Sequence, residues 1–202
     1  MEMPELAVSR LGGDVALDFC NTVDWRLDPE RRGERLRSYA HVVAWLERVE
    51  LLTPAASERL AELADADPSA AAAEHTGILA LRDDSYAALT GDASSPAALE
   101  RELPLAHAAS RLERSADGTW AWHPRTLALG TPRHLLALEF ARLFASPALS
   151  GFHRCEDRHC GWVFLDTSRQ HNRRWCSSTD CGNRNRVRAH AERVRREAAS
   201  QR

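Results

Sequence analysis

Four cysteines are the residues best placed to do chemistry. They form two pairs of identical spacing, Cys155-x4-Cys160 and Cys176-x4-Cys181, with fifteen residues between the pairs. Zn²⁺ prefers a tetrahedron of soft or borderline ligands, and four thiolates complete one. A closed four-thiolate site has no position left for substrate, so the ion is expected to be structural. In a reducing compartment such thiols are not expected to be disulfides. His153, His159 and His171 lie close in sequence and are expected to be loop residues rather than ligands. Cys20 stands alone in an apolar stretch and is expected to be a small core residue.

Two tight turns are needed to bring the pairs together. Between them, residues 162–165 read as a strand, 166–172 as a polar turn and 173–175 as a returning strand. That predicts a β-hairpin between the pairs. From Cys181 onward the pattern is helical, which puts that thiolate at a helix N-terminus, where free N–H groups favour it. Gly182 is expected to let the backbone approach the metal. Along this helix Val187, Ala191, Val194 and Ala198 share one stripe, predicted to pack on the finger or the body. Arg184, Arg188 and Arg195 flank it on one side, and Arg186 and Arg193 on the other.

The chain has 202 residues, and its hydrophobic fraction of 44% suffices for a core. The break at residues 146–151 predicts two domains, 1–150 and 151–202. In the first, the alternation of Val15, Leu17 and Phe19 predicts a strand, and residues 26–37 an exposed loop. Ser38, Thr53-Pro54 and Asp67-Pro68 are helix start signals. Further helices are predicted over about 97–113 and 132–145, with a turn at 116–118 and a short strand at 119–122. The fold class is therefore α+β, mainly α, followed by a small treble-clef or ribbon-like finger with a C-terminal basic helix.

Charge is divided unevenly. All 27 basic residues are arginine, and the net charge is −2. Residues 151–202 hold 12 Arg against 6 acids, whereas the first 150 hold 15 Arg against 23 acids. A basic end on an acidic body points to a polyanionic partner. The candidate nucleic-acid contacts are Arg173, Arg174, Arg184, Arg186, Arg188 and Arg195. Trp162 and Trp175 are expected to pack in the module rather than stack on bases. A second polar cluster, Asp18, Asn21, Thr22 and Arg26, is a candidate ligand pocket, with turn and cap chemistry the competing reading. No nucleophile–base pair, phosphate loop or carboxylate pair stands out, so no enzyme is expected. No run of 18 apolar residues exists, so no transmembrane helix is expected. The start MEMPELAVSR lacks an apolar leader core, which predicts a cytoplasmic location.

Residues 154–188 resemble the CGNR zinc finger, through Phe164-x-Asp166-x-Ser168, Arg173-Arg174-Trp175-Cys176 and the run Cys181-Gly182-Asn183-Arg184. The stretch GGDVALDFCNT at 12–22, with Trp45 and LLTP at 51–54, is similar to the start of an ABATE domain. The resemblance implies Cys155, Cys160, Cys176 and Cys181 as zinc ligands and a bacterial transcription regulator that binds DNA. The leading expectation is a one-component regulator whose N-terminal domain senses a small-molecule effector or forms a homodimer. The alternatives are a protein-interaction module or an RNA-binding module with a purely structural zinc.

Overall fold

The computed structural model describes residues 8–114 and 118–200. The elements in order are α1 (Val15–Cys20), β1 (Val23–Asp24), β2 (Gly33–Glu34), α2 (Tyr39–Arg48), α3 (Pro54–Ala66), α4 (Pro68–Thr90) and α5 (Ala97–Ala109). They continue with β3 (Ser110–Arg114), β4 (Trp120–Pro124), α6 (Thr131–Phe144), a 3₁₀ turn (Pro147–Gly151), β5 (Phe152–Arg154), β6 (Val163–Leu165) and α7 (Cys181–Ser200). This is an α+β chain dominated by helix.

The chain forms two compact units. One holds Glu34–Leu149; the other holds Arg10–Gly33 together with the chain from Ser150 onward. The units divide near residue 150, and the N-terminal segment 10–33 groups with the cysteine-bearing chain rather than with the helices.

The helical unit is built from the caps read in the sequence. The Ser38 hydroxyl accepts from His41 N–H, Thr53 from Ala56 N–H and Asp67 from Ala70 N–H, so three helices start where a side chain can take an orphan donor. Pro54 and Pro68 sit in the first turns of α3 and α4, where no N–H is needed. Gly91 ends α4 in the left-handed region at φ +79. Val42, Trp45, Leu46, Leu60, Ile78, Leu81, Leu136, Phe140 and Leu143 make the core. Arg82 is buried with them, and its guanidinium donates to both carboxylate oxygens of Glu34 at 2.9 and 2.6 Å. The paired geometry offsets the cost of burying that charge.

Three local expectations are corrected. Residues 15–20 form helix α1, not a strand: Asp14 caps Ala16 N–H, and Ala16, Leu17, Asp18, Phe19 and Cys20 are all buried. Burial on consecutive positions fits a short enclosed helix, and the three alternating apolar residues were too few to distinguish the two periods. The helix read to 113 stops at Ala109, and Ser110–Arg114 pairs antiparallel with Trp120–Pro124. The strand Trp120–Pro124 needs a ladder partner, and 110–114 supplies it. Residues 116–117 of the expected turn lie outside the described residues. The predicted 162–165/173–175 hairpin does not form. Instead β6 pairs antiparallel with β5, Arg154 opposite Val163 and Phe152 opposite Leu165.

The reason lies in the segment 10–33. The Asn21 carboxamide accepts from Val163 N–H at 2.8 Å and donates to Val163 C=O at 2.9 Å, and Leu165 N–H donates to Gly12 C=O. The outer edge of β6 is thus already occupied, and residues 173–175 cannot pair there. Gly12 is required where the chain passes close to α1. A Cβ at that position would meet the Asp18 carboxylate at 2.8 Å and Leu17 Cβ at 2.9 Å.

Candidate metal centre

Cys155, Cys160, Cys176 and Cys181 are all buried, and their sulfurs lie within 4.8 Å of one another. None is in a disulfide. The Cys160–Cys176 and Cys176–Cys181 separations are 3.7 and 3.4 Å. Zinc–sulfur bonds of about 2.3 Å arranged as a tetrahedron have sulfur–sulfur edges of about 3.8 Å. The sulfurs therefore sit close to a tetrahedron sized for such an ion. None of His153, His159 or His171 belongs to the group: His153 stacks on Phe164 at 5.9 Å, His159 pairs with Asp28 at 3.2 Å, and His171 lies in the polar turn. Cys20 is also outside it, in the apolar core.

Each ligand pair rides on a loop with its own hydrogen bonds. In the first, Cys160 N–H donates to Asp157 C=O and Gly161 takes φ +74. In the second, Asp180 N–H donates to the Ser177 hydroxyl and Gly182 N–H to Ser177 C=O. Cys155 N–H to Trp162 C=O closes the first loop, and Glu156 N–H to Arg174 C=O ties it to the chain leading into the second. The Asp166 carboxylate accepts from Ser168 N–H and Arg173 N–H, both at 2.8 Å, and so closes the polar turn between the pairs. Phe164, Trp162 and Trp175 pack against the sulfurs, as expected for the two tryptophans. Gly182 has a different role from the one its position implied. A Cβ there would meet the Trp175 ring at 3.1 Å, so the glycine makes room for the indole.

The four clustered sulfurs interact strongly with one another. Four crowded thiols do not ionise together. Hydrogen bonds from Cys160, then Cys176 and Cys181, hold the Cys155 thiolate far below the usual range. Cys160 and Cys176 are pushed up, chiefly by their hydrogen bonds with Cys155. A bound divalent cation stabilises all four as thiolates. Arg184 already supplies positive charge: its guanidinium donates to Cys181 Sγ at 2.9 Å and to buried Asp157 at 3.3 Å, pairs with Asp180, and stacks on Trp25 at 4.4 Å. Asn185 also donates to Asp157.

The sequence-nominated arginines divide into two sets. Arg173 and Arg184 are committed to the module. Arg173 donates to the carbonyls of Leu11, Trp175 and Cys176 and lies over Phe164 at 4.0 Å. Arg174 is exposed and pairs with Glu156. Arg186 is exposed and donates to Ser178 C=O; Arg188, half-buried, donates to Asn185. Arg195 is exposed on the outer part of α7. The apolar stripe of α7 is not packed as expected: Val187 is 61% and Val194 47% exposed.

The Asp18, Asn21, Thr22 and Arg26 cluster does come together around α1, with its polar atoms engaged locally. The Asp18 carboxylate accepts from Gly12 N–H at 2.7 Å, Thr22 donates to Phe19 C=O, and Arg26 donates to Cys20 C=O. Asn21 serves β6, as described. Sequence reading placed Asn21 in a candidate ligand pocket, with turn or cap chemistry as the competing reading; its partner lies 142 positions away, and no local signal reveals such a contact.

The chain thus combines a helical unit with a unit that carries a four-cysteine cluster. Residues 152–194 match the CGNR zinc finger, and residues 13–147 match the ABATE family, described as a putative stress-induced transcription regulator. The chain belongs to the ABATE family. Comparison with curated proteins gives no match. The ABATE match includes residues 13–33, which pack in the cysteine-bearing unit. Among the described residues, no helix is long and apolar enough to cross a membrane.

Proposed function

We propose that this protein is a non-enzymatic, zinc-holding transcription regulator of the cytoplasm that binds DNA through its C-terminal helix. Its N-terminal domain senses a small-molecule effector or forms a homodimer. The observation that carries the reading is α7. It begins at Cys181 of the four-cysteine cluster, and it presents arginines along an exposed length. Zinc, held by Cys155, Cys160, Cys176 and Cys181, supplies charge neutralisation and a rigid knot of chain. Arg174, Arg186, Arg188 and Arg195 make the phosphate and base contacts, because Arg173 and Arg184 are spent on the module. Arginine suits both tasks: it pairs with phosphate as a fork and reads guanine N7 and O6 in the major groove.

Selection from random duplex DNA with zinc-loaded full-length protein at near-physiological salt tests this. An enriched motif is expected, palindromic if the protein is a dimer. Arg195→Ala is expected to weaken binding and reduce the salt slope by about 1. Absence of enrichment with metal-replete protein overturns the DNA reading. A protein-docking role for α7 has one specific observation in its favour, the exposed Val187 and Val194 stripe. A partner for that stripe would be captured equally well by a protein carrying Arg195→Ala.

A further inference from the structure

The residues read from sequence as an effector pocket make their hydrogen bonds within their own module. A better cavity lies entirely inside the helical unit. Its volume is about 520 Å³. That is within the range of roughly 300–1,000 Å³ that encloses small ligands. One wall is the β3–β4 ribbon. Leu112 lies directly opposite Trp122, and Trp120, two positions away, shares their face. These three side chains are 49%, 40% and 63% exposed. The facing wall is α6, through Leu138 and Ala141. His107 meets the Trp122 ring edge-on, with centroids 4.8 Å apart, and so fixes one indole. An isolated exposed indole is ordinary, whereas two on one face lining a hollow of this size mark a place where apolar surface is meant to be covered.

The charges narrow the ligand. Arg142 lines the cavity but donates to Glu139 at 2.8 Å, and Glu50 adds a further carboxylate. Among the described lining residues the carboxylates Glu50 and Glu139 outnumber the one guanidinium, so the lining does not favour an anion. We propose that this cavity binds a neutral, planar aromatic molecule, which lies against the indole face of the ribbon and the apolar face of α6. The inference deepens the sensor half of the proposed function and gives it a site. It does not depend on DNA binding.

A matched probe pair tests it on the zinc-loaded full chain. N-phenyl-1-naphthylamine is neutral, and 1-anilinonaphthalene-8-sulfonate carries the same rings with a negative charge. The neutral probe is expected to bind with saturable fluorescence, to accept energy from tryptophan and to raise Tm. The sulfonate is expected to bind at least tenfold more weakly. Ala141→Phe fills the hollow from the helix side and is expected to abolish neutral-probe binding at unchanged helix content. Trp122→Ala is expected to weaken binding at least tenfold. Failure of the wild-type protein to bind the neutral probe overturns the proposal. So does probe binding that survives Ala141→Phe, or equal affinity for the sulfonate. Light scattering provides the remaining outcome: a dimer at assay concentration that Trp120→Ser dissociates would make this face an interface between copies and would also overturn the proposal. A positive probe result with no enriched DNA motif would leave the site standing and remove the DNA reading.

Discussion

The helical unit and the cysteine unit reach stability by different means. In the helical unit, Trp45, Leu60, Ile78, Leu136 and Phe140 are buried on the apolar faces of their helices, and helix ends are closed by nearby caps. In the cysteine unit, β5 and β6 have three residues each and α1 has six. The unit instead depends on four sulfurs and on single polar links across long sequence separations. The contrast teaches that a periodic apolar pattern can hold a fold with no ligand. A short, loop-rich unit needs a metal and a few irreplaceable hydrogen bonds.

Removing the metal is expected to produce the largest separation between the two. Structural zinc sites contribute about 10–16 kcal/mol of apparent binding free energy at neutral pH, and that energy is folding energy. Cys176→Ala, or chelation of the wild type, should therefore unfold the cysteine unit. The cooperative melting of α2–α6 should persist, because their core contains none of the ligands. Metal analysis together with far-ultraviolet circular dichroism during a thermal scan checks this. Full metal occupancy in Cys176→Ala would mean the ligand set is wrong. Loss of all helical signal on chelation would mean the two units do not fold independently, and the comparison would fail.

A pair of core substitutions sharpens the contrast. Leu136 is fully buried, and Leu136→Ala leaves a cavity costing about 2–5 kcal/mol. Its effect should fall on the helical melting transition and leave metal retention unchanged. Asn21→Ala removes two hydrogen bonds to Val163 and leaves a buried N–H and C=O without partners. Each orphaned group costs about 1–3 kcal/mol. That loss should appear as release of zinc at lower urea, with the helical transition unmoved. The opposite assignment of the two effects would show that residues 10–33 stabilise the helical unit instead.

The two units also differed in how far the sequence could be read. The helical unit was legible nearly element by element, because capping residues and 3.6-residue periodicity are local signals. It failed at 110–114, where a ladder partner outweighs helical continuation. In the cysteine unit the grouping of the four cysteines was legible from spacing alone, since two short-spaced pairs can be brought together by chain of almost any conformation. The chain between the ligands was not. Val163–Leu165 has the composition of a hairpin strand, yet its edges are taken by Phe152–Arg154 and by Gly12 and Asn21. Arg173 and Arg184 were read as charge available to DNA, because a sequence gives a residue's charge but not the carbonyls or sulfur it already serves.

The smallest predicted effect concerns Asp18, buried in α1 of the cysteine unit. Burial, helped by the nearby Asp14 charge, pushes its carboxyl up to about 6, against the opposing effects of the Gly12 N–H and Arg10. An ordinary aspartate in the unfolded chain titrates near 3.9. Between these values the folded protein binds more protons than the unfolded one, so stability falls as pH rises. The contribution is complete below about pH 4 and is lost as pH passes through about 6. Its size is about 1–2 kcal/mol once solvent screening of a partly accessible group is allowed for. Asp18→Asn keeps an oxygen to accept the Gly12 N–H and removes the charge. It should raise the urea concentration for zinc release at pH 8, and flatten the part of the pH 4–7 dependence that Asp18 contributes. Metal binding by thiolates adds a slope of opposite sign, because protons compete for the sulfurs. The informative quantity is thus the difference between Asp18→Asn and wild type at each pH. If that difference is constant from pH 4 to pH 8, Asp18 is not the group that titrates in the fold. If it grows with pH to about 1 kcal/mol, the unit that depends on single polar links also carries a buried charge that its metal and hydrogen bonds must outweigh.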